Sequence, residues 1–186
     1  NPQGFTYLAE FYMRKFISNY LRKNRDTTYR SAGQTEDGWV DANGITGTGK
    51  VLVGKRNNID TKGIFSFNTA AIPDNKNIKK ASVFFKEKTL EKPYPLGNAF
   101  PQNFILDIKN GLFGNNGIER SDYSEMPSAT DVACFAGRLS GNEYTLRADI
   151  HPDALKYINK TGITQFRLGI SDDNLITFYN GDTTEF

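Results

Sequence analysis

Two patterns of apolar residues divide the chain near residue 27. Before it, Phe5, Leu8, Ala9, Tyr12, Met13, Phe16, Ile17, Tyr20 and Leu21 recur in steps of three, one and four. That spacing places them on one broad face of a helix. Glu10 and Arg14 stand four apart on the polar side, a supportive pair. The first residues, from Asn1 to Tyr7, carry Pro2 and Gly4 and are predicted to be extended. No Gly or Pro interrupts Phe5 to Tyr29, and this is the long helical pattern of the sequence. Residues 1–27 therefore read as a partly helical arm.

After the arm, short β patterns alternate with turn residues. The strands predicted are Thr27–Ser31, Trp39–Asp41, Val51–Gly54, Gly63–Asn68, Ile78–Phe85, Asn103–Ile108, Tyr144–Asp149, Thr164–Ile170 and Leu175–Tyr179. They are rich in Val, Ile, Phe, Tyr and Thr. Between them lie Asp-Gly, Asn-Gly, Pro-Asp-Asn and Asp-Asp-Asn, all with turn chemistry. Several strands alternate. Phe65 and Phe67 face opposite to Ile64 and Ser66, and Phe166, Leu168 and Ile170 face opposite to Arg167 and Gly169. One wet face and one buried face belong to antiparallel sandwich sheets. A short helical turn is expected at Asp153–Asn159. The fold class predicted is all-β: a jelly-roll-like antiparallel β-sandwich over residues 28–186, preceded by the arm.

Composition narrows the function. The 186 residues suffice for one domain with a sizeable core, and 13% of them are aromatic. No run of 18 apolar residues exists, so a conventional transmembrane helix is not expected. One His and one Cys exclude, within a single chain, a zinc site built from several such ligands, a CxxC pair and a disulfide. Any triad chemistry would run through His151, which has no evident partner in the sequence. A net charge of +2 is too small to argue for nucleic acid. The charge is uneven. Arg14, Lys15, Arg22, Lys23, Arg25 and Arg30 outnumber Glu10 and Asp26 in the first thirty residues, so a basic arm precedes a mildly acidic body. A solvated helix face gives the same pattern.

Candidate sites have plain readings beside them. Asp172 and Asp173 share one turn with Asn174, and Asp37 and Asp182 join them if the strand ends gather at one pole. Oxygen ligands of this kind suit a structural Ca²⁺; an Asx-turn with solvated carboxylates is the plainer reading. Glu36/Asp37 and Asp172/Asp173 are also pairs of carboxylates, but neighbours on a turn diverge more often than they flank one glycosidic bond. Trp39 and Tyr94 are the rings proposed for stacking on sugars. Trp39 lies within a predicted strand and reads more readily as core than as a platform, whereas Tyr94, in a Pro-rich loop, is the ring expected to be exposed. The basic run Val53–Asn58 and the Gly-rich run Gly44–Gly49 read as loops between strands, with weak signals for anions. Cys134 is expected to be a small buried hydrophobe. Asn159-Lys160-Thr161 matches a glycosylation acceptor.

Ordered segments of the chain carry a resemblance. They are Asp-Gly-Trp-Val at 37–40, Val-Gly-Lys-Arg-Asn-Asn at 53–58 and Gly-Ile-Phe-Ser-Phe-Asn-Thr-Ala-Ala-Ile-Pro-Asp at 63–74. Leu-Asp-Ile-Lys-Asn-Gly-Leu-Phe-Gly at 106–114, Ile-Asn-Lys-Thr-Gly-Ile-Thr-Gln-Phe-Arg-Leu at 158–168, Asp-Asp-Asn at 172–174 and Phe-Tyr-Asn-Gly-Asp at 178–182 complete the set. In this order and spacing they resemble the DNRLRE-type, carbohydrate-binding-module-like β-sandwich modules of secreted bacterial and archaeal proteins. The resemblance covers residues 28–186 and implies a jelly-roll-like sandwich, secretion and no catalysis by the module. Two departures stand out. Such modules continue into a last strand of the form Pro-x-Leu-x-Val-x-Tyr, where this sequence stops at Phe186, and they have no fixed counterpart of the arm.

A sandwich short of one strand exposes unpaired edges, and the arm is the spare segment. The function expected is therefore a non-catalytic subunit of an extracellular filament or surface assembly. In it, Phe5, Tyr7, Leu8, Phe11, Tyr12 and Phe16 of one copy would complete the sandwich of the next, head to tail. A carbohydrate-binding module of a secreted protein, with polysaccharide as its partner, is the alternative. An arm folded back on its own sandwich, or lying as an amphipathic helix on a membrane surface, is also compatible with the pattern. A start at Asn-Pro-Gln without Met fits a processed, secreted chain.

Overall fold

The computed structural model describes residues 29, 36–86, 104–115, 117–140, 143–171 and 175–178. These form ten strands in two antiparallel sheets. The strands are β1 (Gly38–Asp41), β2 (Thr46–Thr48), β3 (Val51–Arg56), β4 (Ile59–Asn68), β5 (Ser82–Lys86), β6 (Phe104–Asn110), β7 (Ala133–Ser140), β8 (Glu143–Ile150), β9 (Ile163–Ile170) and β10 (Leu175–Phe178). The all-β sandwich-like fold is thus present. The arm, with Phe5, Tyr7, Leu8, Phe11, Tyr12 and Phe16, lies outside the described residues.

The smaller sheet has the order β5-β8-β7. The larger one is built around β4, which is long enough to hold different partners along its length. On one side its start pairs with β3 through Thr61 opposite Gly54, and its remainder pairs with β9 from Gly63 opposite Leu168 to Asn68 opposite Ile163. On the other side it pairs with β1. β3 therefore leaves the sheet where β9 enters, and it carries β10 with it. Gly63 marks the fork: a Cβ there would stand 2.5 Å from Val51 and 2.8 Å from Val53 side-chain atoms. Only a bare Cα lets β3 curl over the core.

The core between the sheets is aromatic. Phe65 and Phe67 from β4, Phe166 from β9, Phe85 from β5 and Phe178 from β10 are buried with Leu106, Ile108, Leu146 and Leu168. Phe65 and Phe85 bridge the two sheets with centroids 4.7 Å apart, and Phe67 and Phe166 meet edge-on at 5.8 Å. Such ring pairs add about 0.5–1.5 kcal/mol beyond the area they bury.

Several expectations need correction. The Gly44–Gly49 stretch is not merely a loop, because Thr46–Thr48 forms β2 against β1. The run Val53–Asn58 is mostly strand: β3 reaches Arg56, and only Asn57 and Asn58 turn, both with positive φ (52° and 61°). Asn tolerates this left-handed conformation, which two-residue hairpin turns require. The strand expected at Ile78–Phe85 begins only at Ser82, after Ala81 accepts a bond from the Ile150 N–H. Residues 133–140 form β7, an unpredicted strand, because Ala, Cys and Gly dilute its apolar alternation. Cys134 is exposed on it, not buried, while Ala133 beside it faces the core. Tyr29, of the expected strand Thr27–Ser31, stands outside any strand and packs against the core.

The largest correction concerns the wet face. Ile64, Phe65, Ser66 and Phe67 are all fully buried, so both faces of β4 are covered. Ile64 belongs to a second apolar cluster with Val40 and Phe113, supported by Ile118 and Tyr123. The segment from Gly111 to Thr130 supplies that cover on the outer face.

Candidate functional site

The outer face is organised by a cross-strand pair. Asp107 of β6 and Arg167 of β9 are register partners. Arg167 is 4% exposed. Its Nε and Nη2 donate to Asp107 Oδ2 at 2.9 and 2.6 Å. Its Nη1 donates to the carbonyls of Asp122 (2.7 Å), Glu125 (2.9 Å) and Tyr123 (3.3 Å). The guanidinium also lies 4.4 Å from the Phe113 ring centroid. Asp107 receives a further bond from Thr130 Oγ1. One side chain of the sheet thus ties down a covering loop through its main chain, which the planar five-donor guanidinium is built to do.

The next residue of β9 on this face extends the attachment towards β4. Gln165, opposite Ser66, accepts from the Phe113 N–H at 2.7 Å and donates to Ser66 Oγ at 2.9 Å. Ser66 N–H in turn donates to Asp37 Oδ1 at 2.8 Å. Asp37, expected among metal ligands, is fully buried at this point. Its predicted companions Asp172, Asp173 and Asp182 lie outside the described residues, as does Tyr94. Among the described residues no three His, Cys, Asp or Glu side chains converge on one point.

Trp39 is 8% exposed. Its ring lies against Gly47 of β2, where a Cβ would be 2.5 Å from the indole nitrogen, and the Arg56 guanidinium sits 4.5 Å over it. Arg56 also reaches Asp41 Oδ2 at 3.4 Å. Asp41 Oδ1 accepts from the N–H groups of Asn43 and Ile45, closing the turn into β2. The basic run and the Gly-rich run therefore meet around one indole, and the ring offers almost no surface to a ligand.

Beside this turn the covering loop leaves an open groove of about 700 Å³, lined by Asp41, Ala42, Gly44, Arg120, Tyr123 and Ser124 among others. Gly44 has φ of +81°, and a Cβ there would strike Arg120 Cγ at 2.4 Å, so the Arg120 stem lies flat on the turn. Lys62 rises from β4 beneath the groove, donates to the Tyr123 carbonyl at 3.0 Å and lies 4.3 Å from its ring centroid. Burial, and then Arg167, push the Lys62 pKa down against the pull of Asp107 and Asp60. Burial raises the Tyr123 hydroxyl, reinforced by Asp60. At the groove's margin, Glu119 is held below the usual carboxylate range, first by the Asn115 N–H.

A different pair stands on the smaller sheet. Cys134 Sγ of β7 lies 3.3 Å from His151 Nε2, so His151, which lacked an evident partner in sequence, has one in space. Nearby, Asp149 accepts from Ser82 and from Arg147, the latter at 2.8 and 2.6 Å.

The edges of the two sheets differ. Along β6 the edge is covered: Ser128 N–H donates to the Ile108 carbonyl, Ile108 N–H to Ala129, and Val132 N–H to Leu106. At the opposite side, β5 pairs only with β8 and β10 only with β3 among the described residues. The core rings of these two strands, Phe85 and Phe178, approach to 6.0 Å. Neither Arg120, Tyr123 nor the Asp107–Arg167 pair was singled out from sequence. The available signal was a lone charge flanked by apolar residues in each strand, Leu-Asp-Ile and Phe-Arg-Leu.

Comparison with protein-family models gives no match to the chain, and comparison with curated proteins gives none either. The fold and the clasped outer face define the molecule as an all-β sandwich with one face roofed by a loop.

Proposed function

We propose that the protein is a non-catalytic structural subunit of an extracellular filament or surface assembly, related to the DNRLRE-type modules that its motifs resemble. The observation that carries this reading is the pair of edges at β5 and β10. Each has a single ladder partner among the described residues, and their core rings Phe85 and Phe178 lie 6.0 Å apart. An added strand there would satisfy main-chain groups of both sheets and place alternate side chains into the core. The arm has residues for this: Phe5 and Tyr7 alternate within the stretch expected to be extended. Each fully buried Phe contributes about 1.5–3 kcal/mol, so a few anchors hold a joint. In this reading the arm of one copy enters the next, giving head-to-tail polymers.

The test is negative-stain electron microscopy and sedimentation of the full chain beside a chain lacking residues 1–27. Filaments from the first and monomers from the second are expected. Filaments that persist without the arm would sink the proposal.

A second reading, polysaccharide binding, is favoured by the polar groove. Arg120, Ser121, Ser124 and Tyr123 present donors, acceptors and a partly exposed ring along one opening, the composition a sugar requires. It predicts that the monomer is retarded in affinity gels containing polysaccharide and that Arg120→Ala weakens the retardation. Equal mobility with and without every polysaccharide tried would count against it.

A further inference from the structure

We infer that Asp122 holds a proton in the folded protein and acts as a pH-sensitive latch on the covering loop, keeping its turn closed in acid and releasing it as the pH rises. Asp122 is fully buried. It belongs to the capping box that opens the 3₁₀ turn Arg120–Tyr123. Its Oδ2 accepts from the Glu119 N–H at 2.9 Å, and the Glu119 side chain accepts from the Asp122 N–H. The box uses one oxygen of Asp122. The other, Oδ1, has no hydrogen-bond partner, and no other buried side-chain oxygen or nitrogen among the described residues is left so. A charged carboxylate buried in this state is costly, and the neutral acid is the form that burial favours.

The surroundings point the same way. Oδ1 looks onto Gly114, where a Cβ would stand 2.6 Å from it and 2.1 Å from Glu119 Oε1. Two carboxyl groups thus crowd one narrow point, and like charges so placed do not both ionise readily. Glu119 keeps its charge: the Asn115 N–H first, and then Ser121, hold it below the usual carboxylate range. Asp122 is moved the other way. Burial raises its pKa first, the charges of Glu119 and Glu125 add to the rise, and the Glu119 N–H and Arg167 oppose it. Arg167 of β9 gives its donors to Asp107 of β6 and to loop carbonyls, not to the Asp122 carboxylate. Lys62 of β4 is engaged at the Tyr123 carbonyl, and Asp41 of β1 at Arg56 and its own turn. The proton shared by this pair of carboxyls therefore rests on Asp122, where it turns Oδ1 into a donor that faces Glu119.

Loss of that proton sets two negative charges against each other inside the loop. Arg167 clasps the Asp122 carbonyl, so the carboxylate reaches water only if the turn unwinds. Ser121, Tyr123 and Ser124 flank Asp122 and line the open groove. One proton thus governs a wall of the groove, whatever the groove binds.

The test uses the full chain with ¹³C-labelled aspartate carboxyls, followed by NMR from acid to neutral pH. Asp122 is expected to titrate above the ordinary aspartate midpoint of about 3.9. Hydrogen exchange, corrected for the intrinsic pH dependence of amide rates, is read alongside. The N–H groups of Asp122, Ser124 and Glu125, which bond within the turn, should lose protection at least tenfold as the pH passes that midpoint, while those of β8 keep theirs. Asp122→Asn retains an acceptor for the Glu119 N–H and imitates the neutral acid, so its protection should stay level over the same range. Glu119→Gln removes the facing charge and should lower the Asp122 midpoint, and it carries the test where Asp122→Asn does not fold. An Asp122 midpoint at or below the ordinary value overturns the inference. So does a midpoint that Glu119→Gln leaves unmoved, protection that does not change through the midpoint, or protection that still falls in a folded Asp122→Asn chain.

Discussion

Arg167 and Asp107 meet across β9 and β6 at 2.6 Å, on the sheet face turned away from the aromatic core. Neither is simply an ion pair, because the guanidinium spends its other donors on carbonyls of the covering loop. Removing one member of a buried pair leaves the other unpaired, which costs about 3–5 kcal/mol. Arg167→Met is therefore expected to lower stability by that amount in urea denaturation. It should also speed hydrogen exchange in residues 111–130. Replacing both members with apolar residues should recover part of the loss, since the uncompensated charge is then gone.

Gly47 is a second point where the fold has no slack. A methyl there would sit 2.5–2.6 Å from three atoms of the Trp39 ring. Gly47→Ala must push the indole outward or spread β1 from β2, at about 1–3 kcal/mol as for other overpacked sites. Trp39 is the single tryptophan, so its emission maximum should move to longer wavelength in this variant. An unshifted spectrum with unchanged stability would contradict the packing described.

The pH dependence of stability should carry a component from Asp122. Burial raises its pKa, the Glu119 N–H bond opposes this, the charges of Glu119 and Glu125 add to the rise, and Arg167 counters it. A carboxyl raised in the folded state favours its protonated form. Its contribution is fully present below the unfolded value of about 3.9 and is lost as pH rises through the raised folded value. The parent should therefore lose stability relative to Asp122→Asn across that window, read as converging or crossing urea midpoints.

Asp149 behaves in the opposite sense. Burial pushes its pKa up, but the Ser82 hydroxyl and Arg147 outweigh that and hold it low. Its contribution is present above the unfolded carboxylate value and is lost as pH falls through the lowered one. The pair is about two-fifths exposed on both sides, so solvent screening limits it to at most about 1 kcal/mol. Asp149→Asn should accordingly cost less than that at neutral pH and nothing measurable in strong acid.

Cys134 is exposed on β7 beside His151. A thiol reagent should therefore label the native protein to completion without denaturant. Protection until unfolding would mean that the thiol faces inward.

The sequence alone determined the strands that have strong alternation or apolar density. β1, β3, β4, β6, β8, β9 and β10 lie where Val, Ile, Phe and Thr cluster between turn residues, and the 3₁₀ turn Leu155–Tyr157 lies within the stretch expected to be helical. Local pattern suffices there, because side chains alternate across a strand and turn residues limit its length. β2 and β7 escaped because Gly, Thr, Ala and Cys carry little signal of their own, and their pairing is decided by neighbours distant in sequence. The status of the outer face was beyond any local reading. Alternation marks Arg167 and Ser66 as positions opposite to the core, and this is correct; whether that side meets water depends on where residues 111–130 lie. Only the tertiary structure brings Asp107, Asp122 and Arg167 together from three separate segments, because burial and hydrogen bonding there are set by chain crossing and not by sequence spacing.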